Sequence, residues 1–340
     1  MNKLWRSTYT ALMFAAACAL PAITFAASPL KSPPKSPPSE LIIISGSLSD
    51  VGNYFSVYGD FGPPFAPNRS TNGRNLDDYF AEIMNFENKP SLHLIGPVKG
   101  NNFAVFQSLA RGNGPGDLPA QIQAYLGSRG GRADSKALHL FLISGSDIID
   151  ALLQPSDTVA TQIINATVQG QENGLRTLIN AGAKRIYAPS FTDLSLTPYA
   201  IKNGTQVRAK RISDEYDRKY NAMLDRLDRR LALEHKTDVE VIRWDFLGYS
   251  RQVFKHFIDF GFTNQTEGCL DLIASGKCQF DRFVFLSDFF PTTRTHHLFA
   301  VAMAQNLIDY DRCRSHRGRM DSNRVCRNNV TGVRIDSDDD

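Results

Sequence analysis

L-I-I-I-S-G-S-L-S-D-V-G-N, from Leu41 to Asn53, is the stretch whose reading decides the fold. Four apolar, mostly β-branched residues without polar alternation read as a buried parallel strand, and Ser45, Gly46 and Ser47 close it in a tight turn. The turn lifts the Ser47 hydroxyl to the carboxyl end of the strand, the edge at which open α/β sheets bind ligands. Ser47 is therefore a candidate nucleophile, although serine in such a turn also serves commonly as a helix cap.

Working outward, further apolar runs at 102–105, 138–144, 185–188 and 239–244 alternate with helical periodicity at 118–126, 159–181 and 212–233. Strands alternating with helices imply a parallel sheet covered on both faces, a three-layer α/β/α architecture. With 340 residues, 42% of them hydrophobic, the chain suits one medium-large domain. A net charge of +3 gives no argument for a nucleic-acid partner. Lys3 and Arg6, an apolar stretch from Ala11 to Leu20 and small residues to Ala26 form a secretory signal over 1–26, so export to the periplasm or exterior is expected. Cys18 makes a poor lipoprotein box because Ala15 stands where such a box has Leu. Residues 27–40 form a Pro/Ser/Lys tether, and no apolar run after the signal is long enough to span a membrane. Four cysteines remain after the signal, Cys269, Cys278, Cys313 and Cys326. In an oxidising compartment they read as disulfides, with three pairings open and the local one simplest, since no zinc-type spacing is present.

The Leu41–Asn53 stretch resembles the opening block of the GDSL lipases, the SGNH hydrolase family, which reads F-G-D-S-L-S-D-T-G-N; Ser47, Leu48, Ser49, Asp50, Gly52 and Asn53 match. N-R-S-T-N-G-R at 68–74, N-N-F-A-V at 101–105 and A-G-A-K-R-I at 181–186 are similar to later segments in family order. G-F-T-N-Q-T-E-G-C at 261–269 is similar to a segment of the secreted bacterial lysophospholipase A and glycerophospholipid-cholesterol acyltransferase branch. The resemblance implies an SGNH hydrolase-like domain over 41–310 with a five-stranded flavodoxin-like sheet. It also implies acyl-ester chemistry without metal or organic cofactor.

The family's last block, W-D-x-x-H-P-T, supplies the base and its orienting acid. Here F-L-S-D-F-F-P-T, anchored on Pro291 and Thr292, puts Ser287 at the acid position and Phe290 at the base position. Asp288 is a substitute acid after a one-residue slip; His296 and His297 are the histidines close to the block, with His296 the possible substitute base, and the remaining histidines are not singled out by spacing. For the oxyanion, the resemblance assigns a backbone amide to Phe106, where the family has glycine, and a side chain to Ser146, where it has Asn. Losing one oxyanion donor typically costs about 10² to 10³ in turnover, against about 10⁶ for the base of a serine triad. The sequence thus reads as a catalytically impaired homologue that binds lipid, glycan or protein. The alternative is an active serine ester hydrolase using Ser47 and a relocated base.

Residues 311–340 leave the family pattern. Arg312, Arg314, Arg317, Arg319, Arg324 and Arg327 form a basic segment which a disulfide between Cys313 and Cys326 would close, ahead of an acidic tail. It reads as a solvated face, or as a patch for an acidic head group or a protein partner.

Overall fold

The computed structural model describes residues 38–315, 318–320 and 326–328. The expected signal and most of the tether lie outside them, as do Arg317 and Arg324 and the side chains of Arg319, Cys326 and Arg327. In chain order the elements are β1 (Leu41–Ser45), α1 (Phe55–Tyr58), α2 (Leu76–Ile83), α3 (Leu118–Ser128), β2 (Leu138–Leu142), α4 (Gly145–Leu153), α5 (Asp157–Asn180) and β3 (Arg185–Pro189). They continue with α6 (Pro198–Lys202), α7 (Gln206–Leu233), β4 (Glu240–Trp244), α8 (Phe246–Lys255), β5 (Asn264–Gly268), β6 (Phe283–Phe285), α9 (Thr293–Ser315), β7 (Gly318–Met320) and β8 (Cys326–Asn328).

β1 to β4 form a parallel sheet in that order, with Leu41 beside Leu138, Leu138 beside Arg185 and Arg185 beside Glu240. β1 and β2 are buried throughout, which is why their sequences run apolar instead of alternating. Helices cover both sides. Tyr187 of β3 packs on Phe80 of α2 and donates to the carbonyl of Met303 in α9 at 2.9 Å. On the other face Tyr125 of α3 meets His139 of β2 at 3.0 Å, and Gln171 of α5 donates to the carbonyl of Ile143 at 2.9 Å. His139 is fully buried, and burial holds its imidazole down to about 4.

The five-stranded sheet expected from the resemblance is instead a four-stranded one, with β5 and β6 forming a separate parallel pair. The run 102–105, expected as a strand, touches β1 through one bridge, Asn102 opposite Ile43. Side chains take over the groups a ladder would use. Asn102 Oδ1 accepts from the amide of Ala104 at 2.9 Å, and Asn53 Nδ2 donates to the carbonyls of Asn102 and Ala104 at 2.8 Å each. With its polar groups engaged locally, the segment turns away after the bridge.

α9 runs unbroken across position 310, where the sequence placed the end of the domain. Asp311 pairs with Arg185, and Arg314 reaches Glu240 at 2.9 Å. Cys269 and Cys278 form a disulfide, and Cys313 is also disulfide-bonded. No helix among the described residues is long and apolar enough to cross a membrane.

α2 begins with a capping box in which Asn75 and Asp78 exchange side-chain and backbone hydrogen bonds. The next acid, Asp77, has no exposure, and burial pushes its carboxyl up to about 7. Between its ordinary value of 3.8 and about 7, the folded chain keeps a proton that the unfolded chain has released. This group's contribution to stability therefore falls as pH rises through that window. Asp77→Asn removes the titration. In denaturant melts from pH 4 to pH 7, the stability of the wild type relative to this variant is expected to decline with pH; a pH-independent difference would show that Asp77 is ionised throughout.

Candidate active site

The carboxyl ends of β1, β2 and β3 present Ser45, Leu142 and Pro189 on one edge, and the site is built there. Ser45 anchors the turn: its hydroxyl donates to the carbonyl of Leu142 at 2.6 Å and lies 2.6 Å from the Ser49 hydroxyl. The amide of Ser49 donates to the carbonyl of Gly46 at 3.0 Å, and this closure projects Ser47 outward. Ser47 Oγ accepts from the backbone amide of Gln107 at 2.8 Å. Gln107 holds φ at 62°, in the left-handed region that non-glycine residues seldom occupy.

The rest of the L-S-D-V-G-N block is a buried polar scaffold. Asp50 accepts from the amides of Gly52 and Asn53 through Oδ1 and from those of Tyr54 and Phe106 through Oδ2, at 2.8 to 3.0 Å. Burial raises its carboxyl above the ordinary value while those four donors pull it down. Asn53 Oδ1 accepts from Leu92 N at 2.7 Å and from the Ser91 hydroxyl at 3.1 Å. The Phe106 amide, expected at the oxyanion position, is thus directed to Asp50, and the neighbouring Gln107 amide faces Ser47. Nothing in the residue types marked Gln107, because the group it contributes is backbone.

Beside Ser47 lies a cavity of about 320 Å³. Its polar side is Ser47, Gln107, Ser146 and Asp150; its apolar wall includes Ile149, Leu153, Phe191, Phe254, Phe289 and Phe290. Ser146 therefore does share the cavity with Ser47. Asp147, next to it, is buried and accepts from the amide of Ala110 at 2.8 Å, and burial pushes its carboxyl up to about 6. Asp150 pairs with Arg111. The Phe290 ring, part of the cavity wall, stacks on Phe106 behind it with centroids 5.6 Å apart, so the two aromatic residues singled out from the sequence touch.

The proposed substitutes lie elsewhere. Asp288 faces Lys202 at 3.6 Å and is not part of the cavity wall. His296 is 1% exposed inside α9; neither ring nitrogen has a hydrogen-bond partner among the described residues, and burial holds it down to about 3. His297 packs on Tyr79, with ring centroids 4.8 Å apart. His93 contacts the Ser91 hydroxyl at 2.6 Å, and His256 lies 3.8 Å from Asp259. Among the described residues, no histidine lines the cavity or hydrogen-bonds Ser47; His316 lies outside them. Of the arginine segment, Arg314 is engaged by Glu240.

The first strand of a parallel α/β sheet thus delivers a serine turn to a mostly apolar cavity. No family model matches the chain. It is similar to Lipase 1 of Photorhabdus luminescens, with 23% identity across 76% of this chain and 48% of the relative. The chain thus spans about half the length of that curated relative. The Cys269–Cys278 bond is compatible with a secreted or periplasmic protein.

Proposed function

We propose that this chain is an exported protein of the SGNH hydrolase fold that binds the acyl chain of a lipid in the Ser47 cavity without turning esters over at an enzymatic rate. The observation that carries the reading is the stacked pair Phe106 and Phe290 at the positions of an oxyanion glycine and the catalytic base. A hydroxyl needs a base within hydrogen-bond reach to become a nucleophile near neutral pH. Ser47 Oγ instead accepts from the Gln107 amide, which does not remove its proton. The cavity volume sits at the lower end of small-molecule sites, roughly 300–1,000 Å³, and its wall of phenylalanine and aliphatic side chains suits an alkyl group.

The second reading, an active lysophospholipase or esterase with a relocated base, draws on the similarity to Lipase 1 and on the outward placement of Ser47. The arginine segment remains a proposed contact for an acidic head group or a protein.

The test compares the signal-free protein with its Ser47→Ala variant, on a short-chain aryl ester, a lysophospholipid and a fluorescent fatty acid. Equal background hydrolysis with saturable fatty-acid binding is the expected result. Turnover that disappears in Ser47→Ala would establish the second reading.

A further inference from the structure

The short helix α1 and the loop after it carry aromatic rings that run from the cavity to the surface. Phe290 stacks on Phe106; Phe106 lies 5.3 Å from Phe61 and 5.1 Å from Tyr54; Tyr54 lies 4.5 Å from Tyr58, all between ring centroids. Phe61 also meets Phe55 at 5.1 Å and Phe65 at 5.3 Å. The outer end of this chain of rings is open to solvent: Val57 is 44% exposed, Tyr58 68% and Phe61 43%. Leu153, in the cavity wall, is 50% exposed. Isolated exposed apolar residues need no explanation, but a contiguous group joined to a ligand cavity marks an interaction surface.

Charge indicates what that surface meets. From Tyr54 to Asn68 there is no lysine or arginine, and the single acid, Asp60, accepts from the amide of Asn68 at 2.6 Å. Arg69, which follows the segment, is paired with Asp78 at 2.7 Å, so the segment itself brings no cation to attract an anionic partner. Tyrosine and phenylalanine with an apolar body at the rim of a site suit the boundary between water and lipid headgroups.

We propose that Val57, Tyr58 and Phe61 dock the protein on an uncharged lipid surface, placing the Ser47 cavity within reach of an acyl chain. This rests on the reading of the cavity as an acyl site. Docking by apolar burial does not require anionic lipid and is little affected by salt, unlike recruitment by the arginine segment.

Flotation with zwitterionic phosphatidylcholine vesicles tests the docking, and binding of a fluorescent fatty acid below its aggregation threshold tests the cavity separately. The wild type is expected to float with the vesicles in low and high salt. Val57→Ser/Tyr58→Ser is expected to lower the bound fraction about tenfold or more while fatty-acid binding is unchanged. Tyr58→Trp, which keeps the ring, should retain flotation and exclude a general folding defect. Fatty-acid binding without flotation of the wild type would overturn the docking proposal and leave the cavity reading standing. Flotation that the double variant does not reduce, or that needs anionic lipid, would also overturn it.

Discussion

Ser287→Asp/Phe290→His is expected to raise hydrolysis of a short aryl ester by about 10² or more over the wild type, the lower end of what a positioned general base contributes. The two positions sit on a closed turn. The Phe290 carbonyl accepts from the amides of Leu286 at 2.7 Å and Ser287 at 3.3 Å, and Phe285 bridges Pro291 in antiparallel register. The backbone that carries an Asp-x-x-His unit is therefore in place, and the residue at its fourth position already lines the cavity with Ser47. An imidazole replacing the Phe290 ring also vacates part of the wall on which Phe106 stacks. The gain should vanish when Ser47→Ala is added and should grow with pH through about 6.5, where histidine becomes a neutral base. A folded double variant that hydrolyses no faster than the wild type would mean that the 287–291 turn is not aligned on Ser47.

Asp50→Ala is expected to destabilise the protein by about 4 kcal/mol or more. It removes the acceptor of four amide groups at a site with no exposure, and each orphaned buried donor costs about 1–3 kcal/mol. A melting temperature lowered by roughly 10 °C or more, read by circular dichroism, would match that loss. The change also releases the Phe106 amide and the 50–54 loop, so fatty-acid binding should weaken in the fraction that stays folded. A shift of only a degree or two would show that water satisfies the freed amides.

Asp50 explains why much of the opening block reads as scaffold and by itself says nothing of chemistry. Asp50 and Asn53 join the β1 turn to residues 91–92 and 102–106, a structural role that persists whether or not Ser47 reacts. The expectation of replaced catalytic blocks came from the resemblance, because Phe290 and Phe106 differ in kind from the histidine and glycine that the family has there. Gln107 was not legible, since its contribution is an amide set by a left-handed φ of 62°. The fifth strand failed for a related reason: an apolar run says nothing of asparagine side chains that capture its backbone groups. The reach of Phe61 and Tyr54 to Phe106, across more than forty residues of chain, carried no sequence signal either.

By itself the sequence determined the parallel α/β layering and the serine turn after β1, and by resemblance it raised the expectation of phenylalanine at a base position. Those follow from local rules, the apolar run of a doubly covered strand and fixed spacing within a motif. Only the tertiary structure decided that Phe106 and Phe290 stack, that His296 is sealed inside α9, and that a cavity opens beside Ser47. Each depends on which distant side chains share a volume, and close packing settles that only once the layers have come together.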